Sequence, residues 1–451
     1  MKAKTFDEKN AGMPGELVKS FEKSIPEGRM EQLLRQSGAF KRKPRKLTAQ
    51  AFLKGLLASA FESVPTLESI AGILSLVAGC GYTKQAAWKR MNSGTMRFLI
   101  SLLQLLFQQI ASRELPAGIF APFSRVLVQD STSMTLPKRY GSLYPGSDNQ
   151  HGSNSVMKFQ VVMELLSCRI ADLSISSHRR NDQTATGDIF TVARSGDLVL
   201  RDLGYFCYDS FSKMSEQGVF FIARLCGQIP VLDPDSLEEL ELSQELSKAG
   251  GVFDRVLLIG KKKKVPVRLV AMPAPEEVAN ERRRKAYGNK DKRYSPLKER
   301  LRLMSWNIMI TNVPSEMLSS SQVVKAYYFR WRIEIMFKSW KSMLSLERLN
   351  FHSVQMLHIS VALKLLLCVF AQATAFNLEL LATAHGENVS ALRLARTIGD
   401  LKPLLMLHML DVSPAAFLAY KLKRHSFYER RKDRMNFFER IYEDAQPISL
   451  G

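Results

Sequence analysis

The sequence predicts a mixed α/β core set between two helical regions. Three observations carry that expectation. Apolar residues recur every three or four positions up to about Glu114, which is a helical period. From Ser124 that period gives way to short apolar runs ending in turn residues, which read as strands. After Ser319 the helical period returns and continues to the end of the chain.

The first region, from about Pro26 to Glu114, contains "TLESIAGILSLVAGCGYTKQAAWKRMN". It reads as helix, Gly-containing turn, helix, with Thr83 capping the second helix and Lys84, Gln85, Trp88, Lys89 and Arg90 decorating it. Such a unit reads DNA through the exposed start of its second helix; an ordinary helical hairpin with a basic solvated face fits the same letters.

The core opens with the strand "RVLVQDST", which reaches an acid at Asp130. "VMKFQVVMELL" and "CRIADLSISS" follow as two strands around a tight connection. A helical segment, the strand "DLVLRD" ending in Asp202, a helix near Ser210–Gln217 and the strand "GVFFIARL" complete a mixed α/β unit. Between about Cys226 and Val313 the pattern turns irregular, with "GKKKKVPVRLVAMP", the charged "ERRRKAYGNKDKR" and the strand "WNIMITNVP". It reads as a strand-rich insertion with basic loops. The last region ends in the basic "KLKRHSFYERRKDR".

Composition bounds the function. The chain has 451 residues, 46% of them hydrophobic, enough for a large core. Lys plus Arg number 64 against 43 Asp plus Glu, a net charge of +21, which points to a polyanionic partner. The charge is spread along the chain, which favours an extended nucleic-acid track over one membrane-facing patch. Five dispersed cysteines without a C-x-x-C pair argue against a disulfide framework or zinc site and fit a reducing cytoplasm. "MKAKTFDEKN" has no apolar h-region, so no signal peptide is expected. "FLISLLQLLFQQI" is short for a bilayer, and "ISVALKLLLCVFAQATAF" carries Lys364 and Gln372, so both read as buried core helices.

Candidate chemistry gathers on acids. In "YYFRWRIEIMFKSWK", at about 100° per residue, Tyr327, Arg330, Glu334, Lys338 and Lys341 share one helical stripe. Phe329, Ile333, Met336, Phe337, Trp340 and Leu344 share a neighbouring apolar stripe, a core face. Asp130, Asp202 and Glu334 are hard oxygen ligands suited to Mg²⁺ or Mn²⁺, and two such ions activate a hydroxyl and stabilise the leaving oxygen of a phosphodiester. Taken singly, each Asp is also an ordinary turn former and Glu334 a helical partner for Arg330 or Lys338. His178 is near the core, but two-metal chemistry does not need a His base.

The spacing Tyr327-x2-Arg330-x3-Glu334-x6-Lys341 resembles the YREK signature of the DDE transposases of bacterial insertion sequences, the insertion-sequence-four family. "QDST" and "RDLGYF" with "GVFFIARL" resemble its first and second Asp blocks, in the family's order, over roughly Ser124 to Leu346. The resemblance implies a ribonuclease H-like mixed-sheet core with a β-rich insertion, flanked by helical N- and C-terminal regions. The expected division is 1–115 helical and DNA-binding, 116–226 core, 227–313 insertion, 314–355 core with the Glu helix, and 356–451 helical, for dimerisation and DNA contact.

By motif, Asp130, Asp202 and Glu334 are the implied catalytic, metal-binding triad for two Mg²⁺ ions, with Mn²⁺ as substitute. Tyr327, Arg330 and Lys341, with Lys338 beside them, are implied to hold DNA phosphates. Trp306 matches an aromatic that stacks on a flipped base, and Arg224 an arginine near the DNA end; a core Trp in a strand and a surface Arg are the plainer readings. The implied activity is cut-and-paste transposition: binding terminal inverted repeats, cutting through a DNA hairpin, and joining to target DNA. A homodimer and a bacterial cytoplasmic, nucleoid-associated setting follow from it. A metal-dependent endonuclease without strand transfer, or a non-catalytic transposase-derived DNA-binding protein, are the alternatives.

Overall fold

The computed structural model describes residues 27–394, except 41–46, 61–65, 79, 110–116, 150–151, 226–228, 289–297, 350, 352, 385, 387–388 and 392. The basic C-terminal segment and most of the expected C-terminal region beyond 394 lie outside the described residues, as does part of "ERRRKAYGNKDKR".

The first region is helical as expected: α1 (Glu27–Gln36), α2 (Ala49–Ala60), α3 (Leu67–Ala78), α4 (Lys84–Arg90) and α5 (Ser93–Gln109). The Thr83 hydroxyl accepts from the Ala86 N–H, satisfying one of the free donors at the start of α4. Ala87 buries that helix, while Lys84, Gln85, Trp88 and Lys89 face solvent. The Arg90 guanidinium instead turns inward, 4.0 Å over the Phe40 ring. Gly94 lets α5 begin against the 38–39 backbone, since a Cβ there would sit 2.4 Å from Gly38.

The sheet is built from β1 (Val126–Leu136), β2 (Pro145–Asn149), β3 (Gly152–Glu164), β4 (Ile170–Ser177), β5 (Leu198–Arg201) and, after α6 (Tyr208–Glu216), β6 (Phe220–Arg224). Next come β7 (Val231–Leu232), α7 (Leu242–Ala249), β8 (Phe253–Ile259), β9 (Val265–Pro273), α8 (Glu276–Tyr287), α9 (Lys298–Leu303) and β10 (Trp306–Thr311). The chain continues with α10 (Ser320–Tyr328), α11 (Trp331–Leu344) and α12 (Val354–Ala384). One ten-stranded sheet runs β2-β3-β1-β5-β6-β10-β9-β8-β7, with β4 also on β3. The pairs β1–β3 and β3–β4 are antiparallel, and β1–β5 and β5–β6 are parallel. A three-strand meander followed by two parallel strands is the ribonuclease H-like arrangement. Strands β7 to β9 of the 227–313 stretch extend this same sheet, joined to β6 through β10.

Two local expectations are corrected. Strand β1 does not end at Asp130. It runs on to Leu136 because its antiparallel partner β3 stays alongside it that far, whereas its parallel partner β5 stops at Arg201. Nor is "YYFRWRIEIMFKSWK" one continuous helix. The N–H groups of Phe329, Arg330, Arg332 and Ile333 all bond three residues back, so α10 and α11 meet in a tight turn. The expected core stripe holds through it: Phe329, Ile333, Met336, Phe337, Trp340 and Leu344 are all buried.

The sheet separates two apolar clusters, and side chains alternate between them along each strand. Val126, Val128, Leu198, Leu200 and Ile222 face the larger cluster, which α1 to α5 and α10 to α12 complete. Leu127, Val199, Phe221 and Ala223 face the other, with Phe211 and Met214 of α6. Val354–Leu380 is long and apolar enough to cross a bilayer, yet 82% of its most apolar window is buried inside the protein, where α12 packs on α5 and α11. Arg332 of α11 and Glu379 of α12 form a buried two-point ion pair across that contact.

Candidate active site

The sheet register decides the geometry of the acids. In the parallel ladder Gln129 pairs with Arg201, and Arg201 with Ala223. The next residues are Asp130, Asp202 and Arg224. They share the side-chain parity of Val128, Leu200 and Ile222, so all three project from the face that α10 and α11 cover. Two carboxylates and a guanidinium thus form a row at the exits of three adjacent strands, where the parallel ladder stops.

The turn between α10 and α11 closes over this row. Arg330 Nη1 donates to Asp130 Oδ2 at 2.8 Å, and Nη2 to Glu334 Oε1 at 2.6 Å. Tyr327 donates its hydroxyl to Asp202 Oδ1 at 3.0 Å. The structure therefore brings five expected site residues into one cluster: Asp130, Asp202, Tyr327, Arg330 and Glu334. Burial pushes the Asp130 carboxyl up to about 6; Arg330 and the Ser131 N–H oppose the rise, and the charges of Asp202 and Glu334 add to it. Burial works against the Arg330 cation too, but Tyr327, Asp202, Asp130 and Glu334 together hold it above its usual value. Burial, with Asp202 next, raises the Tyr327 phenol.

The remaining expected residues lie further out. Lys338 and Lys341 are exposed on α11, Lys338 with its ammonium 4.6 Å over the exposed Trp331 ring. Trp306 starts β10 and is packed, partly buried, against the second cluster, on the opposite parity from Met309, the cross-strand neighbour of Arg224. The structure does not join it to the carboxylates.

Among the described residues no ready group of three acid, His or Cys side chains stands as a metal cage. The physical reason is visible: Arg330 lies between Asp130 and Glu334, and Tyr327 takes an oxygen of Asp202. The donor set itself, three carboxylates, fits a hard divalent cation such as Mg²⁺ or Mn²⁺.

Sequence reasoning missed one residue, Asp182. Its Oδ1 accepts from Ser131 Oγ at 2.7 Å, Gln160 Nε2 at 3.0 Å and Lys158 Nζ at 2.8 Å. Burial opposes its ionisation, but Lys158, Ser131 and Gln160 hold its carboxyl below the ordinary range. Gln160 in turn accepts from the Tyr205 hydroxyl. Asp182 thereby fixes the strand beside Asp130 and touches the turn after Asp202: a Cβ at Gly204 would lie 3.1 Å from Asp182 Oδ2. The available signal is the acid in "SSHRRNDQTA", four residues after His178. We expect Gly204→Ala to shift Asp182, lowering stability by about 1 kcal/mol and slowing any reaction at the acids more than that loss explains. Thermal unfolding beside reaction rate checks this; a change in neither refutes it.

Known proteins place the chain. The family model described as "Transposase DDE domain" matches residues 121–370. The transposase for insertion sequence element IS231C of Bacillus thuringiensis subsp. berliner is 25% identical over 393 residues, covering 82% of each chain. The transposase for IS231E of Bacillus thuringiensis subsp. finitimus is 28% identical over 327 residues, 68% of each. The transposase for IS1151 of Clostridium perfringens is 27% identical over 356 residues, 74% of this chain and 75% of its own. Among solved structures, the piggyBac transposase in a synaptic complex with hairpin DNA aligns over 93% of this chain and 87% of its own, at 9% identity and a TM-score of 0.40, too distant to argue from. With more than half its length inside the family model, and with insertion-sequence transposases as its relatives, the chain belongs to the DDE transposases.

Proposed function

We propose that the protein is the cut-and-paste transposase of a bacterial insertion sequence. In this reading it binds the terminal inverted repeats, cuts them through a DNA hairpin and joins the ends to target DNA. Asp130, Asp202 and Glu334 are the catalytic residues and the ligands of two Mg²⁺ ions, replaceable by Mn²⁺. Bound there, the ions supply an activated oxygen nucleophile and stabilise the leaving oxygen of the phosphodiester.

The chain's own residues bind and orient. Arg330 offers a planar fork that matches a phosphate as well as it matches the two carboxylates it now bridges. The Tyr327 hydroxyl donates a neutral hydrogen bond, because burial keeps its proton on. Lys338 and Lys341 extend the positive track along α11, with Arg224 at the far end of the acid row. Trp306 is the proposed platform for a flipped base. Residues 1–115 serve as the helical DNA-binding region, 116–226 and 314–355 as the catalytic core around the 227–313 insertion, and 356–451 for dimerisation and DNA contact. The protein acts as a homodimer in the bacterial cytoplasm, at the nucleoid.

The convergence of Asp130, Asp202 and Glu334 around Arg330 supports this reading most. The test uses the purified full chain and linear DNA ending in the inverted repeats that flank its coding region. With Mg²⁺ we expect nicks and hairpins at those ends, then joined target products, and none of them in excess EDTA. Cleavage without joined products favours an endonuclease. Binding without cleavage in Mg²⁺ and Mn²⁺ alike favours a non-catalytic DNA-binding protein.

A further inference from the structure

The acid row continues into a second cluster of charge. Arg224 sits one strand beyond Asp202, and its cross-strand neighbour on β10 is Met309. Two residues back along β10, on the same parity, is Asn307, whose Oδ1 accepts from Arg282 Nη2 at 2.7 Å. Arg282 reaches down from α8, and its Nη1 also donates to the carbonyls of Met304 and Trp306, at 3.2 and 3.1 Å. Arg282 is therefore held, and Arg224 projects, over one patch of the sheet beyond the carboxylates.

Among the described residues neither is neutralised. All three acceptors of Arg282 are uncharged, and among the described residues no carboxylate pairs with Arg282 or Arg224. Burial, followed by the charge of Arg224, disfavours the Arg282 cation. The half-exposed Tyr328 is close enough for its phenol to act on the same charge. A fold that fastens two like charges together without an acid between them is complementary to an anion from outside. Neighbouring strands lie about 4.8 Å apart. Arg224 therefore lies about one strand from Asp202, and Arg282, held at Asn307, about two strands across and two residues further along β10, so the pair spans on the order of 5 to 12 Å from Asp202.

We infer that Arg224 and Arg282 together form an anion subsite that takes one DNA backbone phosphate within about two nucleotides of the scissile one. The inference rests on the proposed role of the carboxylates, which fixes where the scissile phosphate lies. It adds Arg282, from the 227–313 stretch, to the DNA-holding residues, and gives that stretch a part in registering the end to be cut. Arg282 itself is held by three hydrogen bonds, so it is pre-placed, and the half-buried Arg224 stands close enough for its charge to act on it.

Single methylphosphonates, which remove one phosphate charge at a time, test it. Full-chain protein is titrated in EDTA with linear inverted-repeat DNA carrying one methylphosphonate at each position near the cut. Wild type should lose about tenfold in affinity at one position within about two nucleotides of the scissile bond. Arg282→Gln should bind unmodified DNA about tenfold more weakly and lose less than about twofold further at that position. Its plot of log affinity against log salt should be shallower by about one unit. Arg224→Gln, which sacrifices no hydrogen bond among the described residues, should suppress the same position and keeps the test open if Arg282→Gln does not fold. Variants that lose as much as wild type at every position overturn the inference. Failure of the carboxylate assignment shows separately, as an Asp202→Asn variant that still cuts.

Discussion

Asp202→Asn is expected to slow end cleavage by at least about 10³-fold while leaving DNA affinity within about twofold of wild type. The substitution keeps the size of the side chain and an oxygen that still accepts from Tyr327, now at 3.0 Å. The fold therefore has little to lose. What disappears is one negative charge from the row that Asp130, Asp202 and Glu334 form, and with it one of the proposed ligands for a divalent cation. Single-turnover cleavage at fixed Mg²⁺, beside a binding titration in EDTA, separates the two effects. A rate within tenfold of wild type would remove Asp202 from the triad.

Arg332→Met is expected to cost about 3–5 kcal/mol of stability, because it strands Glu379 as an unpaired charge in the interior. Arg332 and Glu379 are 9% and 3% exposed, and Nη1 donates to one carboxylate oxygen while Nη2 donates to the other. Burial opposes the Arg332 cation, but Glu379 and Cys168 hold it above its usual value. Adding Glu379→Leu to Arg332→Met should recover most of the loss, since an apolar pair of similar volume needs no solvation. Urea unfolding of the two variants decides this. If Arg332→Met alone stays within about 1 kcal/mol of wild type, the pair is not the clamp described. The clamp bears on chemistry because Arg332 stands two residues before Glu334, so loosening α11 from α12 moves the third acid of the cluster.

Much of the site could be read in the letters. The spacing of Tyr327, Arg330, Glu334 and Lys341 and the order Asp130, Asp202, Glu334 are local facts, and the apolar stripe through Ile333 and Trp340 follows from helical period alone. The hinge at Phe329 and Arg330 was not legible. Every residue there is an acceptable helix former, and only the closing of the turn over the sheet selects bonds to the third residue back. The run of β1 past Asp130 was equally hidden, because its cause is β3, some thirty residues away.

The sequence by itself determined the identities that chemistry needs: three carboxylates, their order, a basic and aromatic helix, and a charge of +21 suited to DNA. The tertiary structure alone decided which of these meet. Register between β1, β5 and β6 aligned Asp130, Asp202 and Arg224. The α10–α11 turn set Arg330 between Asp130 and Glu334, and the α8 hydrogen bonds put Arg282 beside Arg224. The reason is physical. Periodicity records which face of an element is buried, whereas partners 22 to 200 positions apart are chosen by strand register and by pairing between elements, which no local pattern encodes.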